Sequence, residues 1–163
     1  MLFIRSFVVP KIISPERLGG VLKKILDEHS TLSQAKTDRA IKKTIIKVWG
    51  SIIKLTPVGN ADKWQTKNAP EGYVGGRARG NWFVGTTLTD KTGGVKANKG
   101  ASYVAKNIPK NIIGTKLYLY NNLDYINRLE YGAHSKQAPR GMVRVSLLKW
   151  GKELQKQFKA EHK

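Results

Sequence analysis

The sequence predicts an α+β fold, in which a small mixed or antiparallel sheet packs against a long central helix and a C-terminal helix. Three observations carry this. Residues 33–55 and 141–159 repeat apolar side chains at three- and four-residue spacing, the one-face pattern of an amphipathic helix. Two short runs, 81–88 and 114–121, alternate side chains as strands do. Gly, Pro and Asn punctuate the stretches between them. With 163 residues, the chain suits one domain over 1–163. Residues 1–30 form an N-terminal arm and helix.

In chain order, Ser14-Pro15 reads as an N-cap followed by proline at the first helical position, where its missing N–H costs nothing. Leu18, Val21, Leu22 and Ile25 then share a face, although Gly19-Gly20 weakens the helix. The second helix runs from about Ser33 to Leu55 and stops before Pro57. Ile41, Ile45, Val48, Trp49 and Ile52 form its apolar stripe. Lys36, Lys43, Lys47 and Lys54 fall within roughly 20° of the opposite direction at about 100° per residue. Residues 56–80 form a long turn region rich in Pro and Gly. Asn81–Leu88 reads as a strand with Trp82, Val84, Thr86 and Leu88 on one face. Residues 89–101 form an exposed basic loop holding Lys91, Lys96 and Lys99. Pro109 leaves 102–113 open, arguing against a central strand or a helix interior.

Gly114–Asn121 is the second strand, with Leu117 and Leu119 on one side and Tyr118 and Tyr120 on the other. A short helix follows within 122–132, capped by Asn122 or Asp124 and ended by Gly132. The last helix, Gly141 to Lys159, buries Val143, Leu147, Trp150, Leu154 and Phe158. Lys149, Lys152, Lys156, Lys159 and Lys163 line its opposite face. Two helices thus repeat one plan, a core stripe opposite a lysine row. Each row is either an ordinary solvated face or a basic interaction surface for phosphates or carboxylates.

The chain carries 30 Lys and Arg against 11 Asp and Glu, a formal net charge of +19. The excess is spread out: 11 against 4 in residues 1–54, 8 against 1 in 73–116, and 5 against 2 in 146–163. It is not a basic tail, and it points to polyanions or acidic protein surfaces as partners. With no cysteine, thiolate nucleophiles, disulfides and thiolate metal sites are excluded. No apolar run approaches the roughly 20 residues of a membrane span, so no membrane partner is expected. The N-terminal apolar stretch is interrupted by Arg5 and does not read as a signal peptide.

Catalytic patterns do not emerge. His29, His134 and His162 lack metal-ligand spacing, and Gly132 lies between Glu130 and His134. Gly75 to Gly80 has the glycine spacing of a phosphate loop, but Asn81-Trp82 stand where Lys and Ser or Thr are needed. No Gly-Xaa-Ser-Xaa-Gly elbow occurs, and no paired carboxylate motif offers metal ligands. No enzyme, cofactor or metal is expected. The richest cluster is Gly76 through Trp82. On an extended chain Arg77 and Arg79 point the same way, ready for phosphate or carboxylate, while Trp82 either stacks a base or anchors the core.

These residues also carry a resemblance. Thr56-Pro57-Val58, followed by Gly76-Arg77-Ala78-Arg79-Gly80-Asn81-Trp82, resembles a run in tailed-bacteriophage neck and tail-completion proteins, the head–tail joining family. Downstream, Tyr118, Asn121-Asn122, Tyr125, Leu129-Glu130-Tyr131-Gly132 and Gln137-Ala138-Pro139 through Gly141-Met142-Val143-Arg144 resemble further motifs of that family in the same order, over residues 31–160. The family runs directly from Thr-Pro-Val into the arginines, so 59–76 reads as an inserted loop. The resemblance implies a structural virion protein that forms a homo-oligomeric ring in the neck or at the tail's upper end. It would be made in the host cytoplasm and contact portal, adaptor or tail proteins, with channel DNA as a neighbour. It assigns the motif residues to turns and subunit contacts, and the scarcity of acids suggests Glu130 as partner of Arg77, Arg79 or Arg144. The rival readings are a basic nucleic-acid-binding protein, resting on the charge and on Trp82, Tyr118 and Tyr120, and a small nuclease using His134 and Glu130.

Overall fold

The computed structural model describes residues 15–28, 34–63, 71–93, 100–132 and 135–162. Ser14, His29, Lys96, Lys99, His134 and Lys163, singled out above, lie outside the described residues, as does the side chain of His162. The architecture is mixed α+β. Helix α1 spans Pro15–Glu28 and α2 Gln34–Leu55. A 3-10 turn, Ala61–Lys63, and a one-turn helix α3, Arg77–Gly80, precede strand β1, Phe83–Gly85. Helix α4 (Ala101–Asn107), strand β2 (Tyr118–Tyr120), and helices α5 (Ile126–Tyr131), α6 (Val143–Leu147) and α7 (Trp150–His162) complete the order.

α2 is the axis of the fold. Ile45, Val48, Trp49, Ile52 and Ile53 face the main core, where they meet Trp82, Val104, Leu117, Met142 and Trp150. Burial extends beyond the expected stripe. Thr37, Ala40 and Thr44 are buried too, and Ala40 joins Ile25, Leu154 and Phe158 in a second cluster of α1, α2 and α7 residues. Thr44 is accommodated because its hydroxyl donates to the Ala40 carbonyl at 2.9 Å, leaving no orphaned polar atom. On another flank, a Cβ on Gly50 would lie 2.9 Å from the Cα of Ala101. Gly50 therefore lets the start of α4 press against the α2 backbone. The first half of the open segment 102–113 is thus helix, ending at Asn107 before Pro109. Beyond it, Ile112 N–H donates to Asp38 Oδ1 at 2.7 Å.

Both strands are shorter than their alternation suggested. The sheet is one antiparallel pair, Phe83 opposite Tyr120, Val84 opposite Leu119 and Gly85 opposite Tyr118. Thr86 and Leu88 are exposed, because the partner strand ends with them still uncovered. The expected single C-terminal helix is two helices separated by Leu148 and Lys149. The expected caps of α5 are absent: Tyr125 is its N-cap and supplies no side-chain bond. Asn122 instead donates to the carbonyls of Thr89 (2.6 Å) and Lys91 (2.8 Å). That holds the chain entering the basic loop against the end of β2.

Candidate functional site

The motif residues converge on the end of α2. A helix C-terminus leaves carbonyls without intrahelical donors, and Pro57 cannot continue the helix. Here Arg79 reaches back and caps it. Its Nε donates to the Thr56 carbonyl at 3.1 Å, and its Nη2 donates to the carbonyls of Thr56 (2.8 Å) and Lys54 (2.9 Å). A guanidinium there also meets the negative end of the helix dipole. Thr56 Oγ1 donates to the Ile52 carbonyl at 2.8 Å and accepts the indole N–H of Trp82 at 2.7 Å. Trp82 is 1% exposed, which places it in the core and withdraws it from base stacking.

Arg77 and Arg79 do not lie on an extended chain. They occupy α3, where two residues turn through roughly 200°, so Arg77 is exposed while Arg79 is half-buried. Neighbouring asparagines fix this turn. Asn81 donates to the carbonyls of Arg77 (2.7 Å) and Gly93 (2.9 Å) and accepts the Gly93 N–H at 2.6 Å. Asn121 donates to the Ala78 carbonyl at 2.8 Å.

A second latch centres on Glu130, which is 1% exposed. Its Oε2 accepts the N–H groups of Met142 (2.8 Å) and Val143 (2.9 Å), and its Oε1 accepts Arg144 N–H at 3.0 Å. Arg144 Nε pairs with the same Oε1 at 3.1 Å. The carboxylate thus satisfies orphan donors at the start of α6 and holds the guanidinium. Of the three suggested partners, Arg144 is the one that meets it. Arg144 also lies 4.8 Å from the Tyr131 ring centroid, a cation–π distance. Gly141 makes room: its φ is +80°, and a Cβ there would lie 2.5 Å from Glu130 Oε1. Gly132 follows α5 in right-handed helical geometry.

A third latch spans the chain. Gln137 Oε1 accepts the Val58 N–H at 3.1 Å, and Gln137 Nε2 donates to the Val58 carbonyl at 2.9 Å. Beside it, a side chain on Gly75 would run into the Gly59 carbonyl. The two ends of the 59–76 segment therefore meet, and Val58 lies next to the start of α3. Pro139 is exposed, at the turn between this latch and Glu130.

The lysines separate into two groups. α2 and α7 run antiparallel, joined by ion pairs: Lys47 to Glu153 at 2.7 Å, and Arg39 (2.9 Å) and Lys43 (2.5 Å) to Glu161. Part of the α2 row is thus directed within the chain, while Lys54 and Lys91 are exposed and Lys36 is half-buried. The exposed Lys149, Lys152, Lys156 and Lys159 have no ion pair among the described residues. The Lys47 ammonium holds the Glu153 carboxyl below its usual value, and Lys43 and Arg39 do the same for Glu161. Burial pushes Asp38 up, but donors from Ile112, Lys42 and Ile113 outweigh it and the net is downward.

These directions fix a pH dependence. In all three groups the folded form binds its proton less readily than the unfolded form, whose values lie near 3.8 and 4.5. Their contribution is fully present above that range and is lost as pH falls through the lower folded-state values. Melting temperature at low salt is expected to hold from neutral pH to about 4.5 and then fall. A melting temperature that rises on acidification below that point contradicts the pairing. Added salt should weaken the α2–α7 part of the effect.

An open polar depression of about 410 Å³ lies beside these elements, lined by residues including Asp90, Asn121, Asn122, Asp124 and Asn127. Among the described residues no three His, Cys, Asp or Glu side chains gather as a metal site, and no helix is long and apolar enough to cross a membrane. No protein-family model, curated protein or solved structure matches this chain.

The motif residues thus form three latches, Thr56–Arg79–Trp82, Glu130–Arg144 and Val58–Gln137. Asn81 and Asn121 pin α3 between them. The sequence reading missed Glu153 and Glu161 as anchors of α7. Their position on the α2-facing side of a lysine-rich helix was the available signal.

Proposed function

We propose that this chain is a structural virion protein of a tailed phage, assembling as a homo-oligomeric ring in the neck. There it joins head to tail or completes the tail's upper end. Portal, adaptor or tail proteins would be its neighbours and channel DNA would pass close by. One observation carries the reading. The polar motif residues Arg79, Asn81, Glu130 and Gln137 all bond their own chain's backbone, as expected of a frame that shapes loops for assembly. The ordered motif resemblance supplies the class, and a closed ring repeats one heterologous contact around an axis.

The rival, a basic nucleic-acid-binding protein, keeps the exposed lysines but has Trp82 buried and Arg79 engaged with α2. Electron microscopy of particles made without this protein tests the proposal. Full heads beside separate complete tails support a joining role, and overlong tails a terminator role. Normal joined particles overturn both. In parallel, duplex DNA is titrated at rising salt. Tight binding with a steep log–log slope, from a protein that stays monomeric, favours the rival.

A further inference from the structure

The two lysine rows look alike in the sequence but differ in their surroundings. On α2, Lys43 and Lys47 meet Glu161 and Glu153. Those are the acids of α7, and both turn toward α2. The outer face of α7 is left with Lys152, Lys156 and Lys159, and Lys149 stands just ahead of the helix; all four are exposed, at spacings of 3, 4 and 3 residues. Its helical part, from Lys152 to Lys159, is about 10 Å long at 1.5 Å per residue.

Among the described side chains, few acids are left to neutralise this row. Asp38, Glu130, Glu153 and Glu161 are already ion-paired within the chain. Of the other acids with described side chains, Asp62 and Glu71 lie on separate turns, and Asp90 and Asp124 line one polar depression, a pair too small to match a row of four lysines. A second copy therefore lacks a matching acidic face among its described residues. At the head of the row stands Leu148, 58% exposed. It closes α6 in right-handed helical geometry and stands in the junction just before α7, four residues ahead of Lys152. A phosphodiester backbone offers nothing to an exposed leucine. A protein interface combines an apolar anchor with a charged rim.

We propose that the outer face of α7 docks an acidic protein surface, with Leu148 in an apolar notch and the lysines against a row of carboxylates. The proposal rests on reading this chain as an assembly subunit. Lys43 and Lys47 of the α2 row belong to the fold and not to the docking face.

The test uses the full chain and two synthetic helical peptides. One carries Glu at spacings of 3, 4 and 3 with Leu one residue before the first, and the other has Gln in place of Glu. The Glu peptide should bind at physiological salt and the Gln peptide should not. Lys152→Gln/Lys156→Gln should weaken binding about tenfold, and Leu148→Ser should weaken it measurably. Lys54→Gln should leave it unchanged. Circular dichroism melts check that each variant folds, and Lys149→Gln/Lys159→Gln serves as a second pair if the first is unstable. Equal binding of both peptides, or no effect of either lysine pair, overturns the proposal. So does duplex DNA binding more tightly than the Glu peptide with no change in Leu148→Ser, which would assign the face to nucleic acid. Particle morphology, which tests the neck reading, is measured independently, so either can fail alone.

Discussion

Glu130→Ala is expected to lower stability by about 3–5 kcal/mol, the usual range for removing one partner of a buried ion pair. For a chain of this size that is a fall of about 6–20 °C in melting temperature. The carboxylate is 1% exposed and accepts three backbone N–H groups together with Arg144 Nε. Alanine leaves all of these donors unsatisfied, and the guanidinium is left without its counter-charge. Glu130→Gln keeps the shape but turns an amide N–H₂ toward backbone donors, so it should also destabilise, by less than Ala. Arg144→Ala should be the mildest, because the three backbone donors remain bound. Urea denaturation of the three variants gives the order. A Glu130→Ala melt within a degree or two of the parent would show that the latch contributes little.

Trp82→Ala should cost about 3–5 kcal/mol, because it empties a large part of the core beneath α3. A finer series isolates the hydrogen bond. Thr56→Val keeps the volume but leaves the buried indole N–H without its acceptor, for about 1–3 kcal/mol. Trp82→Phe removes that N–H, so the double variant should be less destabilised than the sum of the singles. Additivity within about 0.5 kcal/mol would mean that the two side chains do not act as a pair.

Where local chemistry decides, the sequence was readable. α2 is bounded by a clear period and by Pro57, and of the predicted stripe Ile45, Val48, Trp49 and Ile52 are buried while Ile41 is half-buried. Where a distant partner decides, it was not. The Arg77–Gly80 turn depends on Arg79 finding the Thr56 carbonyl 23 residues away and on Asn121 finding Ala78; spacing alone shows neither. α4 buries fully only Val104, too little for a periodic signal, and its position depends on Gly50. The strands were overdrawn because alternation continues through Thr86 and Leu88 after pairing has stopped. The lysine row of α2 looked like an open face because the acids that meet it lie more than a hundred residues later.

The meeting of Gly59 and Gly75 has a practical side. A segment that leaves and rejoins the frame at one point can change length cheaply, since doubling a flexible loop costs only about 0.6 kcal/mol in closure entropy. It follows that this is a natural graft point. An epitope or a small fluorescent domain inserted between residues 60 and 74 should leave Thr56, Arg79 and Gln137 bonded as they are. If the chain assembles as proposed above, the graft would then mark, in images of the particle, which way each copy faces.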